Sequence, residues 1–471
     1  MKKSIFLLSK GTIGTLFILI FIYMTSNINV YAEAASKESL IILLDSDVKE
    51  TEEKIENKFS NVKVHQIKEI NSLVVKGIDK EQLPDMKQYV SEDLKIPSNN
   101  IVNDVELRIK SSKPISEEKQ HSFQFLKEEE KGPYDKWMWD IKQVTNNYKS
   151  QSINKGSHDV KVGIIDSGID FNHPDLKENI ISEGKSFVPN DASTSDNIGH
   201  GTMVAGTIAA NGKIQGVGPS IGIIPYKVFN QTGGDSSWTI EAIIQATKDG
   251  VDVINLSLGT FKSIKNKGDS NLIRAYERAF KYAKENNVVL VASSGNEGLD
   301  ISNPKELAEK LGKPDDLLIH LPGGDKNVIT VAATDKENKL ASYSNFGSVI
   351  SISAPGGDYG PDFKQNKIYD FNSLVLATYP TYFPQTKLSK SIGIEPGYEF
   401  MLGTSLAAPK VTAAIAVMKD EYFKKFGREM SNEEVESTLY RNADKTSYYD
   451  ENVSGKGIVN LYNALVDIKS R

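Results

Sequence analysis

The stretch DVKVGIIDSGIDFNHPDL, residues 159–176, begins as an apolar run and stops at Asp-Ser-Gly. A short apolar run closed by turn residues reads as a buried strand. Downstream the chain keeps one rhythm. HGTMVAGTIAAN (200–211) reads as a helix and IGIIPYKVF (221–229) as a strand. SSWTIEAIIQATKDG (236–250) reads as a helix closed by Gly250, and VDVINLSLG (251–259) as a strand. NLIRAYERAFKYAKENN (271–287) is a helix, and VVLVASSGNEG (288–298) and KNVITVAATD (326–335) are strands. Apolar strands alternating with amphipathic helices predict an α/β fold with a doubly wound, mostly parallel sheet covered on both faces. Chemistry in such sheets gathers at the carboxyl ends of the strands. Asp166, Ser257 and Asn296 fall at such ends.

Upstream, residues 38–108 have a different texture. ESLIILL, VKVHQI, SLVVKGI and NIVNDVELRI read as strands, and Asp47–Phe59 and DKEQLPDMKQYVSED as helices. This is a small α+β unit. A polar stretch, KSSKPISEEKQHSFQFLKEEEKG, then separates it from the larger domain. Its composition is that of a linker, where proteases cut. At the start, a basic MKKSIFLLSK, an apolar GTIGTLFILIFIYM and TSNINVYAEA match the plan of a secretory signal, with cleavage after Ala32 or Ala34. The competing reading, a membrane anchor, needs about 20 apolar residues. The expected organisation is a signal at 1–34, the α+β unit at 35–110, a linker at 111–132 and the main domain at 133–471. The C-terminal VNLYNALVDIKSR has no hydrophobic tail, so the released protein is expected outside the membrane.

Net charge is −6, against a nucleic-acid partner, which calls for a basic footprint. The chain has no cysteine, which excludes disulfides, thiolate metal sites and a cysteine nucleophile.

Three segments carry side chains suited to chemistry: VGIIDSGIDFNHPDL (162–176), NIGHGTMVAGT (197–207) and LGTSLAAPKVTAA (402–414). Each has an ordinary reading alone. Asp-Ser-Gly is a common turn, His200 could be a structural histidine, and Thr404 or Ser405 could cap a helix. An aspartic protease would need a second such carboxylate motif. Gly199 and Gly201 leave room beside His200 for another backbone or a substrate. Together the three segments supply what a serine nucleophile needs. A histidine takes the hydroxyl proton, and a carboxylate fixes the histidine tautomer. A fourth segment, ASSGNEG (292–298), offers the Asn296 amide as an oxyanion donor.

In this order and spacing, DSGIDFNHPDL, GHGTMVAGT, SSGNEG and GTSLAAP resemble the motifs of the subtilisin-like serine proteases, the subtilases, across residues 133–471. The resemblance implies a subtilisin-like fold. It implies Asp166 as the orienting carboxylate, His200 as general base and acid, and Ser405 as nucleophile. Asn296 and the Ser405 N–H would form the oxyanion hole. Ser257, Leu258 and Gly259 would wall the P1 pocket and pair with substrate backbone, with Glu297 at its mouth and His320 at its floor. The α+β unit would be a propeptide, a folding aid and temporary inhibitor released by self-cleavage in the linker, for which Lys127 and Lys131 are candidates. A family calcium ligand falls at Asp175, but the loop ANGKIQGVGP (210–219) is shorter than in calcium-binding relatives, which leaves that site open. Leu406, Ala408 and Lys410 depart from the family's usual residues. A segment at 356–402, rich in Tyr, Phe and Pro, is inserted before the serine.

Among subtilases the chain is most similar to lantibiotic leader peptidases of the epidermin-leader type. That implies a secreted, monomeric enzyme of a Gram-positive bacterium removing a leader from a modified precursor after a basic residue. A broad degradative subtilase and an inactive peptide-binding pseudoprotease are the alternatives.

Overall fold

The computed structural model describes residues 37–45, 47–104, 106–107, 134–231, 233–366 and 369–471. The expected signal segment, Lys127 and Lys131 lie outside the described residues.

The N-terminal unit holds β1 (Glu38–Leu43), α1 (Val48–Lys58), β2 (Lys63–Ile67), β3 (Ser72–Ile78), α2 (Leu83–Gln88) and β4 (Ile101–Asn103). Its antiparallel sheet runs β2-β3-β1-β4. Asp47 caps α1 by accepting the Lys49 and Glu50 N–H groups. In β1, Leu40 and Ile42 face a core shared with α1 and α2, through Ile55 and Met86. Ile41 and Leu43 point the other way, with Val74 and Val102, into a core of the main domain. Alternation along a strand sends neighbours to opposite faces, so a strand apolar throughout needs two covers.

The main domain contains β5 (Lys161–Asp166), β6 (Lys185–Ser186), α3 (His200–Ala209), β7 (Gly222–Lys227), α4 (Ser236–Lys248), β8 (Val253–Leu256), α5 (Lys267–Glu285), β9 (Val289–Ser293), β10 (Ile329–Thr334), β11 (Ile352–Pro355), β12 (Val375–Thr378), β13 (Tyr398–Met401) and α6 (Thr404–Phe426). Seven strands form a parallel sheet ordered β11-β10-β9-β8-β5-β7-β6. Val253, Val289 and Val291 meet α3 and α6 on one face, while Ile254, Leu290 and Ala292 meet α4 and α5 on the other. From β5 the chain moves to one side through β6 and β7, then returns to β8 on the other. The strand order reverses between β5 and β8, and ligands bind at such a reversal. Residues Thr404–Tyr422 of α6 are all buried, which suits the Ala-rich run AAPKVTAAIAV.

One expectation changes. NIVNDVELRI is not one strand. It leaves the sheet after Asn103, where the Asp104 carboxylate accepts the Ser237 N–H at 3.0 Å. Glu106–Leu107 then pairs antiparallel with Gly234–Asp235 of the main domain. The insertion at 356–402 holds regular structure. It contributes the hairpin β12–β13, laid against α3.

Candidate active site

Asp166 ends β5, and His200 opens α3. Both side chains are 1% exposed, and His200 Nδ1 lies 2.8 and 2.9 Å from the two Asp166 carboxylate oxygens. A carboxylate only accepts, so Nδ1 carries the proton and Nε2 keeps its lone pair. His200 Nε2 is buried and has no hydrogen-bond partner among the described residues. Burial works against a charged imidazole. The Asp166 carboxylate, through charge and hydrogen bond, and the nearby charge of Asp196 outweigh it and hold His200 above its ordinary pKa.

The glycines flanking His200 are crowded by the protein itself. A Cβ on Gly201 would lie 2.0 Å from the Gly168 carbonyl oxygen, and one on Gly199, at φ +101°, 2.3 Å from the Tyr379 ring. Asp170 accepts the Thr381 N–H and hydroxyl at 2.8 and 2.7 Å. The insertion is therefore fastened beside the histidine.

Ser405 lies in the first turn of α6, which packs on α3. Neither Thr404 nor Ser405 caps that helix; Gly403 is the N-cap residue. The Ser405 hydroxyl donates to the Ser257 carbonyl at 3.4 Å, and the Ser257 hydroxyl to the Ser405 carbonyl at 3.0 Å. Asn296 reaches the same turn from beyond β9. Its Oδ1 accepts the Thr404 N–H at 2.9 Å and the Thr404 hydroxyl at 2.8 Å, which turns Nδ2 away from the helix.

Two glycine-bearing loops flank Ser405: Ser257-Leu258-Gly259 and Gly295-Asn296-Glu297. The His320 ring sits between them. A Cβ on Gly259 would lie 2.3 Å from His320 Nε2, and one on Gly295 would lie 3.2 Å from it and 2.7 Å from Glu297 Oε2. His320 Nδ1 donates to the Gly323 carbonyl at 2.9 Å, and Glu297 accepts the Asn345 amide at 2.8 Å. Leu258 is buried in the core beneath. Asp166, Ser257 and Asn296 thus lie at or just beyond the carboxyl ends of β5, β8 and β9, and His200 and Ser405 open the two helices that pack on each other.

The sequence profile of the subtilase family matches residues 157–461. The chain belongs to the subtilase family. It is a subtilisin-like serine endopeptidase, 32% identical over 356 residues to the epidermin leader peptide-processing serine protease of Staphylococcus epidermidis, covering 69% of this chain and 73% of the relative. It is 32% identical over 315 residues to the nisin leader peptide-processing serine protease of Lactococcus lactis subsp. lactis, covering 61% of this chain but 44% of that longer relative. Among solved structures, an epidermin leader peptide processing serine protease from Staphylococcus aureus superposes with TM-score 0.73 at 27% identity, over 91% of this chain and 99% of that one. A lanthipeptide protease superposes with TM-score 0.64 at 34% identity, over 71% and 95%. This subtilase is closely related to proteases that process lantibiotic leader peptides.

Asp175 stands apart from that cluster. Its Oδ2 accepts the Ile214 N–H at 3.0 Å, and its carbonyl accepts the Asn211 N–H at 2.8 Å. A Cβ on Gly212 would lie 2.0 Å from its Oδ1, so the short 210–219 loop closes directly over the carboxylate. Calcium takes six to eight oxygen ligands. Among the described residues no group of three or more His, Cys, Asp or Glu is placed to hold a metal ion. The residues at Asp175 do not fit a calcium ion.

Sequence reasoning missed Asn255, Thr412 and Asp140. Asn255 and Asp140 lie outside the segments singled out and Thr412 inside 402–414, and each matters through partners distant in the chain.

Proposed function

We propose that this subtilase is an exported endopeptidase that removes the leader of a lantibiotic precursor after a basic residue, using Asp166, His200 and Ser405. The observation that carries the reading is the buried His200–Asp166 pair whose Nε2 lone pair is left without a partner next to the helix of Ser405. The Ser405 contact to the Ser257 carbonyl is long, so little opposes rotation of the hydroxyl toward His200. His200 takes the proton as Ser405 attacks the carbonyl, and Asp166 stabilises the imidazolium. The oxyanion meets the Ser405 N–H and Asn296 Nδ2. In subtilisin, removing one such donor costs about 2.7–4 kcal/mol. His200 then protonates the leaving amine, and water hydrolyses the acyl-enzyme.

Ser257, Leu258 and Gly259 form one wall of the P1 pocket and Gly295 the other. Glu297 supplies a carboxylate at its mouth that favours a basic P1 residue, and His320 closes its floor. The N-terminal unit is the propeptide. Its Glu106–Leu107 strand along Gly234–Asp235 supports the reading that the unit stays paired with the main domain until the linker is cut. No described helix is long and apolar enough to cross a membrane.

Expression of Ser405→Ala beside wild type tests the reading. The variant should retain its N-terminal unit as one uncut chain while wild type releases it. A variant that processes itself at the wild-type rate would remove Ser405 from the chemistry.

A further inference from the structure

The nucleophile helix contains a proline where its hydrogen bonding matters most. In an α-helix the carbonyl of residue i accepts the N–H of residue i+4. For Ser405 that residue is Pro409, which has no N–H. The carbonyl of the nucleophile is thus orphaned inside a fully buried turn. The Ser257 hydroxyl takes the missing donor's place at 3.0 Å.

That hydroxyl has one proton, and a carbonyl only accepts, so the proton points to Ser405 and Ser257 Oγ is left to accept from behind. Asn255, at the middle of β8, donates its Nδ2 to Ser257 Oγ at 2.9 Å. Asn255 Oδ1 accepts the Thr412 hydroxyl at 2.9 Å. Thr412 lies on α6, two turns beyond Ser405. Asn255, Ser257 and Thr412 are all 0–1% exposed, so bulk solvent does not compete. With the Asn255 amide reversed, its oxygen would draw the Ser257 proton and leave the Ser405 carbonyl bare. The Thr412 hydroxyl, which also lies 3.1 Å from the Ala408 carbonyl, gives its one proton to Asn255 Oδ1 when the Asn255 amide donates to Ser257.

We infer that Thr412, Asn255 and Ser257 form a one-way hydrogen-bond relay that positions Ser405. The relay begins and ends on α6 and clamps its first two turns to β8. It fixes the backbone at Ser405, and with it the direction of both Oγ and the Ser405 N–H. These are positioning residues. The Ser257 side chain is turned to the helix, so only the backbone of that loop is left for substrate.

The inference rests on Ser405 being the nucleophile. The test is steady-state kinetics on a peptide substrate, per titrated active site of correctly processed enzyme, so that unfolded material does not count. Ser257→Ala should lower kcat about 5- to 100-fold, since it leaves a buried acceptor unpaired. Asn255→Leu should lower it less, and Thr412→Val about 2- to 10-fold. KM should stay within about twofold throughout, and Thr412→Ser should restore kcat, because the relay needs a hydroxyl and not a methyl group. Wild-type kcat in Ser257→Ala and Thr412→Val, with Ser405→Ala inactive, would overturn the relay and spare the nucleophile. An equal loss in Thr412→Val and Thr412→Ser would also overturn it, by showing a packing role. Turnover in Ser405→Ala would instead overturn the nucleophile assignment itself.

Discussion

The two sheets of this chain bury their faces in different ways. The seven-stranded sheet is covered by its own helices, α3 and α6 on one face and α4 and α5 on the other. The four-stranded N-terminal sheet covers one face with its own helices and buries the other on the main domain. Polar contacts reinforce that docking. Arg278 on α5 donates to the Ile70 and Leu44 carbonyls at 3.0 and 3.3 Å, and Arg274 to Asn100 at 3.0 Å. Lys76 pairs with Glu241 at 3.0 Å and Lys248 with Glu69 at 2.6 Å. The main domain is fastened from within, whereas the N-terminal unit buries one of its two sheet faces against the main domain.

The largest effect on this contrast is expected at the internal fastening. Lys410 on α6 and Asp140 are 0% and 1% exposed and form an ion pair at 2.7 Å, tying the start of the main domain to the helix of Ser405. Burial lowers the Lys410 pKa, and the Asp140 charge opposes that shift. Lys410→Met leaves Asp140 buried without a cation and should destabilise the main domain by about 3–5 kcal/mol in denaturant unfolding. Lys410→Met with Asp140→Leu should recover most of the loss. A loss below about 1 kcal/mol in the single variant would show that this pair does not fasten the domain.

A smaller effect is expected at the docking face. Arg278→Ala removes a charged donor from main-chain carbonyls, a change of about 1.5–3 kcal/mol at most for such bonds, reduced here by partial exposure. In the Ser405→Ala background it should increase hydrogen exchange in β1 and β3 and leave β8 and β9 unchanged. Equal changes in both sheets would erase the distinction.

The smallest effect concerns pH. His200 must be neutral to accept a proton, so activity is lost as pH falls through its pKa. Asp166 and Asp196 raise that pKa. The acid limb of kcat/KM for the released enzyme should therefore have its midpoint above the ordinary histidine value of about 6.5. Asp166→Asn should move the midpoint down while lowering the rate. A wild-type midpoint below about 6.5 would contradict the electrostatics.

Much of the fold and of the site is legible in the sequence. The alternation from 159 to 335 predicts the parallel sheet because strands buried on both faces must be apolar throughout. The four motifs predict the cluster because each small-flanked polar residue ends a strand or starts a helix. What escapes sequence reasoning is set by tertiary pairing. Nothing within NIVNDVELRI says that Glu106–Leu107 pair with Gly234–Asp235 rather than with the sheet they follow. The strands β12 and β13 pair across the intervening residues 379–397, and no local pattern marks that pairing. Lys410 looks like a surface residue until Asp140 is placed beside it. Gly199 suggests room for substrate, yet the space is filled by Tyr379, from a distant part of the chain.

Everything proposed for the site turns on Ser405, served by His200 and Asp166, cutting peptide chains after basic residues. The direct measurement is mass spectrometry of a diverse peptide mixture digested by the processed enzyme, with Ser405→Ala alongside. Cuts after Lys or Arg are expected in the wild type and none in the variant. Cuts spread over many P1 residues would contradict the specificity and favour a degradative subtilase, and undiminished cutting by the variant would contradict the mechanism.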